Sequence, residues 1–360
     1  MTGLNLGVYA CFVGPRLVAR RAAAAALFAL FIFGTGRAAS ADSALFDASN
    51  QPVVLIQHSA PITIQTWDRP QISVEDGGAE PPIVQRRPGT RAPGVSPNVP
   101  YSVPIPAVSV ADPAGGQPVT LGPEEFPVQI PPGAHDTLRI QVPPYQSTVY
   151  VPADTSVLSI NGTGGTRIEN YHGQLIAQQR AGPLVLHNVS GDAFVQNLRG
   201  QIFVVDSQFD RLRTRTALNN MIFQRCDVKQ IEATSERGSI VYNNGSFQPG
   251  LARFETVTGH VALGVNGGAN IAVKGQPGQI YQNFDHPSQF NDRNGEANAR
   301  VGGGGPLVNV VTRQGRVYLY DGSLMTRRQL PAHWGQVRAP LERARQQHEI
   351  GRPPQYRRPP

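Results

Sequence analysis

The sequence predicts an all-β chain, wound as a β-solenoid of about 18–20 residues per coil and interrupted by a Pro-rich disordered insertion. Three observations carry that expectation. Of 360 residues, 38 are Gly and 32 Pro while only 16% are charged, a turn-rich makeup that argues against coiled coils and helix bundles. Glycines between Gly173 and Gly200 recur every nine residues. Only Cys11 and Cys226 are present, so a chain read as exported must rely on core and backbone hydrogen bonds rather than bridges.

Residues 1–41 read as an export signal. Arg20-Arg21 precede the apolar run Ala22 to Phe33, and small residues surround Ala39-Ser40-Ala41, which sets the expected cleavage near Ala41. Twelve apolar residues are too few for a bilayer core, which needs about 20 in a helix, so the mature chain is expected to have no transmembrane segment, the alternative being an uncleaved anchor that includes Gly34 to Gly36. Removal of Cys11 with the signal leaves Cys226 alone, read as a buried small apolar residue rather than a reactive thiol. The net charge is +7, but it is unevenly spread. Four arginines give the leader +4, and eight arginines against Glu342 and Glu349 give the segment 323–360 +6. The folded body therefore carries −3, which speaks against a nucleic-acid groove within it.

The segment 42–76 supplies first strands or a cap, with the alternating run Pro61-Ile62-Thr63-Ile64-Gln65-Thr66-Trp67. From Pro81 to Pro144 the chain holds sixteen of its 32 prolines. Proline removes backbone donors, so 77–136 is expected as a disordered or polyproline-like insertion. The body 137–322 is expected to hold the solenoid, and 323–360 to be a basic, flexible tail.

Within the body, Gly173, Gly182, Gly191 and Gly200 are each followed by a short apolar run, and the rhythm continues less strictly through Asn219, Gly238, Gly259, Gly268, Gly278 and Gly315. Side chains alternate along a strand, so positions two and four after the glycine share a face. Leu175 and Ala177, Leu184 and Leu186, Ala193 and Val195, Ile202 and Val204, Ile240 and Tyr242, Val261 and Leu263, and Val317 and Leu319 are therefore the expected core. Two nine-residue units would make one coil, and about eight or nine coils stacked at about 4.8 Å would extend about 40 Å. The competing fold is an antiparallel sandwich, for which Asn161-Gly162, Asn244-Gly245 and Asn266-Gly267 would mark hairpins.

The runs Ile62 to Asp68, Ile72-Ser73-Val74, Leu138 to Pro143, Gly191-Asp192-Ala193-Phe194-Val195 and Thr256 to Leu263 resemble the bacterial putative-adhesin family of secreted β-solenoids. That resemblance covers about 53–75 and 137–321 and implies an exported solenoid of unknown molecular function. It transfers no catalytic residue. Several rungs, such as Arg211 to Thr216, lack the family's Gly-Asp pair.

Two surface features invite a binding role. Position three after each glycine should face outward, yet it holds Ile176, Val185, Phe194, Phe203, Val241, Ala262 and Tyr318. Those residues form a candidate docking stripe for self-association or another envelope protein, unless the Pro-rich excursion packs over them. Arg211, Arg213 and Arg215 alternate along one strand, and with Arg225 and Lys229 they form a candidate grip on an anionic envelope polysaccharide. Charged edges that discourage strand pairing would look the same. An enzyme would need other groups: Asp192, Asp210 and Asp227 recur at nearly even spacing, close to one coil, and would stack on successive coils. Corner aspartates also satisfy turn donors without any chemistry. The sequence carries no serine-elbow, zinc-protease, phosphate-loop or Ca²⁺-nonapeptide pattern. The expectation is thus an exported, non-enzymatic adhesin or scaffold without a cofactor or metal, the alternative being a polysaccharide-cleaving enzyme on the same framework.

Overall fold

The computed structural model describes residues 43–48, 53–76, 80–87, 101–111, 117–128, 137–284 and 294–322. The expected leader with its cleavage point, and the tail 323–360, lie outside the described residues. Every regular element among the described residues is a strand, as an all-β chain requires.

The chain opens with β1 (Ser43–Asp47), β2 (Val53–His58), β3 (Ile62–Trp67) and β4 (Gln71–Asp76). The Pro-rich stretch contributes β5 (Ile83–Arg87), β6 (Tyr101–Ile105), β7 (Val108–Val110), β8 (Val119–Leu121) and β9 (Glu124–Val128). The body begins with β10 (Thr137–Gln141), β11 (Ser147–Pro152), β12 (Val157–Gly162), β13 (Thr166–Glu169), β14 (Gln174–Gln179) and β15 (Leu184–His187). It continues through β16 (Ser190–Asn197), β17 (Ile202–Val205), β18 (Gln208–Thr216), β19 (Met221–Gln224), β20 (Asp227–Arg237) and β21 (Ile240–Phe247). It closes with β22 (Ala252–Thr258), β23 (Val261–Val265), β24 (Ala269–Lys274), β25 (Ile280–Asn283), β26 (Glu296–Val301), β27 (Leu307–Gln314) and β28 (Val317–Asp321).

Through the body each strand pairs in parallel with the next but one. β12, β14, β16, β18, β20 and β22 form a first ladder, and β13, β15, β17, β19, β21 and β23 a second. Such parallel pairing is not that of an antiparallel sandwich. The step between partners lengthens slightly along the body, from Leu184↔Ile202 through Ile202↔Met221 to Ile240↔Val261.

Corner chemistry explains the step. Gly182 has φ of 81°, a region that strains any side chain with a Cβ. A methyl group built on Gly200 would meet the Gly182 carbonyl oxygen at 1.6 Å. Backbones thus approach at these corners more closely than an alanine permits. A second corner, just after β13, β15, β17 and β19 and at the register shift within β21, is turned by Asn170, Asn188, Asp206, Arg225 and Asn244, with φ of 57°, 53°, 51°, 52° and 56°. Asn and Asp tolerate that conformation best among non-glycine residues. Asn188 Nδ2 donates to Asn170 Oδ1 at 2.8 Å, so the corners are also stitched to one another.

The interior between the ladders holds the side chains at positions two and four after the glycines, and all fourteen expected core residues are buried there. Cys226 joins them, fully buried, its thiol pushed up to about 12 by burial. At one corner the interior turns polar: Gln179, Asn197, Thr216, Ser235 and Thr256 follow one another in register and are buried. Asn197 shows why. Its Oδ1 accepts from the Gly200 amide at 2.8 Å, while its Nδ2 donates to the Gly182 carbonyl at 2.9 Å. Turn groups that point inward would otherwise be orphaned.

At both ends the order in space departs from the order in sequence. β2 lies between β10 and β12, and β3 between β11 and β13. At the other end β27 separates β22 from β24, and β28 separates β23 from β25. Antiparallel strands then finish the stack: β5 on β10, β4 on β11, β1 on β4, and β26 on β24.

The insertion corrects an expectation over its described residues. β6 pairs with β9 and β7 with β8, both antiparallel, giving one nested hairpin arm rather than polyproline chain. In a two-stranded ribbon alternate backbone N–H groups face away from the partner, so proline at those places costs no ladder bond.

Candidate functional site

The arm lies on the outer face of the first ladder. Ile105, Phe126 and Val128 pack on Val157, Ile176 and Phe194, and Val110, Val119 and Leu121 pack on Leu198 and Ala217. The Phe126 and Phe194 rings are 5.7 Å apart. The proposed docking stripe is therefore not one exposed surface. Ile176 and Phe194 belong to the first ladder under the arm, whereas Val185, Phe203 and Val241 share a column on the second ladder. The reason is the nine-residue period: successive glycines start strands on alternate ladders.

The basic residues also separate. Arg211, Arg213 and Arg215 do project from one strand, β18. Two of them clamp the arm: Glu124 takes Arg213 and Arg215 at 2.7 Å each, and Arg215 Nη1 also donates to the Gly122 carbonyl at 3.1 Å. Glu232, one rung on, takes Arg213 Nε at 2.7 Å. Arg225 sits at a corner of the second ladder, paired with Asp206. Arg211 and Lys229 remain near Asp192, whose carboxyl is held above the usual carboxylate range by burial, an effect those two cations oppose and Asp210 reinforces. The five cations thus serve at least three local purposes and do not make one patch.

Nor do the three aspartates form a column. The register sets Asp192 beside Arg211 and Asp227 beside Gln208 and Ser246. The Ser246 hydroxyl donates to Asp227 from the neighbouring strand. Among the described residues, no three His, Cys, Asp or Glu side chains gather closely enough to hold a metal ion.

One outward column went unread in the sequence. Gln141, Gln57, Asn161 and Gln178 follow one another in register along the first ladder, and Gln196, next in register, is buried. Amide side chains at a step of about 4.8 Å present alternating donors and acceptors. Arg139 Nη2 donates to Gln57 Oε1 at 2.7 Å and fixes that amide. Beside the column lies a groove of 270 Å³ lined by Gln57, His58, Gln141, Asn161, Thr163 and Arg180. The only sequence signal was an amide recurring once per coil at Asn161, Gln178 and Gln196, invisible until the register was known.

His58 forms the groove's buried floor. Its Nδ1 donates to the Ala60 carbonyl at 2.8 Å, which leaves Nε2 to accept from the Thr166 hydroxyl at 2.9 Å. Burial lowers its pKa from the ordinary histidine value, and the Ala60 bond only partly opposes this.

A second groove, of 630 Å³, is lined by Pro104, Ile105, Pro106, Pro123, Glu124 and Glu125 of the arm. Its acids make it an unfavourable seat for an anionic polymer.

No family model matches the chain, and no curated protein does. Among solved structures it is similar to one described as a putative cell adhesion protein from Clostridium sporogenes, at 8% identity over 78% of this chain and 98% of the other. The TM-score is 0.20, too low to support an argument about fold or activity. Among the described residues, no helix is long and apolar enough to cross a membrane.

Proposed function

We propose that the chain is an exported β-solenoid of the cell envelope that works without catalysis, as an adhesin or scaffold. The observation that supports this reading is the stacking of side chains into columns. Residues one coil apart in sequence come to lie one strand spacing apart, which is the form of surface that a repeating polymer can follow. The amide column Gln57, Asn161 and Gln178 with its groove is the contact strip, and the hydroxyls of an envelope polysaccharide are its chemical complement. Leader removal near Ala41 would deliver the folded body to the periplasm or cell surface, and the basic segment 323–360 would add salt-sensitive attraction to anionic polymers or lipids.

The test is retention on immobilised envelope polysaccharide. The Gln57→Ala/Asn161→Ala/Gln178→Ala chain is expected to bind about tenfold or more weakly, at about 0.5–1.5 kcal/mol per lost hydrogen bond. Equal retention of parent and variant would remove the strip from the proposal. An enzyme on the same framework makes a different prediction: the parent would shorten the polymer, and Asp192→Asn would stop it without unfolding the chain. Polymer shortening by the parent, lost in Asp192→Asn, would replace the adhesive reading.

A further inference from the structure

Each ladder buries apolar side chains on its outer face, but under different covers. Over the first lies the arm. On the second, Phe203, Ile222, Val241, Ala262 and Tyr318 form one column in register, and none is more than 1% exposed. Among the described residues, the hydrophobic cluster that holds them draws only on strands of the same ladder, with Val185 and Tyr281 partly buried at its two ends. Neighbours within a column shield one another's flanks and leave the outward side open. A covering layer is required.

We infer that this column is the seat of the chain's own C-terminal segment, residues 323–360. The segment starts where the column ends: β28 carries Tyr318 and stops at Asp321. From Tyr318 to Phe203 the column runs four strand spacings, about 19 Å. Leu330, Trp334, Val337 and Leu341 recur at intervals of four, three and four, which collects apolar side chains within one short stretch. A stretch of about twelve residues extends about 18 Å when wound as a helix and about 40 Å when drawn out, so the reach suffices either way. Residues 285–293 are a short stretch tied at both ends, to β25 and β26, and cannot run the length of the column. Seven of the segment's eight arginines lie outside the stretch Leu330 to Leu341, so seating its apolar side chains does not require burying them. The covering layer then becomes a basic strip fixed on a rigid face, whereas an unseated segment would leave an apolar column able to pair with a second copy.

Trp67 and Trp334 are the only tryptophans, so in a full-length Trp67→Phe chain the fluorescence reports on the segment alone. Trp334 is expected to emit as a buried indole and to resist acrylamide at every protein concentration. Adding Val241→Lys on the column should raise quenching several-fold and shift emission to the red, with the far-ultraviolet β signal unchanged. Should that variant fail to fold, Leu330→Ser/Val337→Ser/Leu341→Ser approaches from the other side and should raise binding of a hydrophobic dye several-fold. The inference is overturned by a Trp334 as quenchable as the free amino acid, by protection that disappears on dilution and so belongs to a second copy, or by unchanged dye binding in the triple variant.

Discussion

A methyl group at Gly200 would sit 1.6 Å from the Gly182 carbonyl oxygen and 2.4 Å from Asn197 Nδ2, so this residue sets the distance between two rungs. Gly200→Ala must push those backbones apart, and overpacking of this kind costs about 1–3 kcal/mol. The expected outcome is a lower urea midpoint with an unchanged slope; an unchanged midpoint would mean that the corner yields without cost. The nine-residue glycine rhythm was legible because the close approach it serves admits no side chain. The polar residues that complete the same corner were not. Asn197 looks like a surface residue by type alone, and only the inward direction of the turn amide and carbonyl gives it a buried task. His58 belongs to this corner too, opposite Gly162 in register, where a methyl group would strike the imidazole at 2.0 Å. Its folded pKa lies below the ordinary value of 6.5 because of burial. The unfolded chain therefore binds the proton first as pH falls: the stability contributed by His58 is complete above about 6.5 and is lost as pH drops toward the lower folded value. His260 shifts in the same direction, by burial and then by Arg316, but solvent screening at its half-exposed site makes its share the smaller. Unfolding free energy should thus fall below pH 6.5, with His58 contributing at most about 1.4 kcal/mol per pH unit. His58→Asn should flatten that slope, and a slope identical to the parent's would assign the whole effect elsewhere.

At the scale of elements, the arm is the part that sequence reasoning misjudged. Proline density suggested chain without partners, yet Pro104 and Pro127 both lie inside strands, opposite Glu125 and Ser102. What the composition concealed was alternation: Ile105, Phe126 and Val128 are buried, while Pro104 faces solvent. The arginines of β18 were legible as an outward row. Their partner Glu124 was not, because it stands on β9, several coils earlier in the chain, with no local pattern tying it to Arg213 and Arg215. The arm's adhesion is mainly apolar, since ion pairs this close to solvent contribute little each. Truncation of a buried phenylalanine costs about 3–5 kcal/mol. In Phe126→Ala the amides of β6 and β9 should exchange about two to three orders of magnitude faster, while those of β14 and β16 keep their protection. Equal acceleration in β14 and β16 would show arm and ladders opening as one unit. Glu124→Gln is expected to move the same amides far less.

On the scale of the whole molecule, stacking makes each rung depend on its two neighbours and little else. The period and the interior side chains could be read from the sequence because they repeat locally. The threading at both ends could not: β2 finds its partners in β10 and β12, across an insertion that leaves no trace of which rung it enters. Nearest-neighbour dependence makes the body divisible in whole rungs only. Removing Ile240 to His260, one full step of the second ladder, takes out β21 and β22 together and brings Val261 to the place of Ile240, its own partner in register. It also removes Tyr242, Phe247 and Phe254 as a set, and these rings pack chiefly on one another, with centroids 4.7 to 6.0 Å apart. The shortened chain is expected to keep its β signal and unfold cooperatively, with a urea slope reduced roughly in proportion to the surface lost. Removing only Ile240 to Gly250, which takes β21 alone, would send β22 to the wrong ladder and Phe254 with it, so that chain is expected to lose cooperative unfolding. If both shortened chains behaved alike, folded or unfolded, the rung would not be the unit from which this molecule is built.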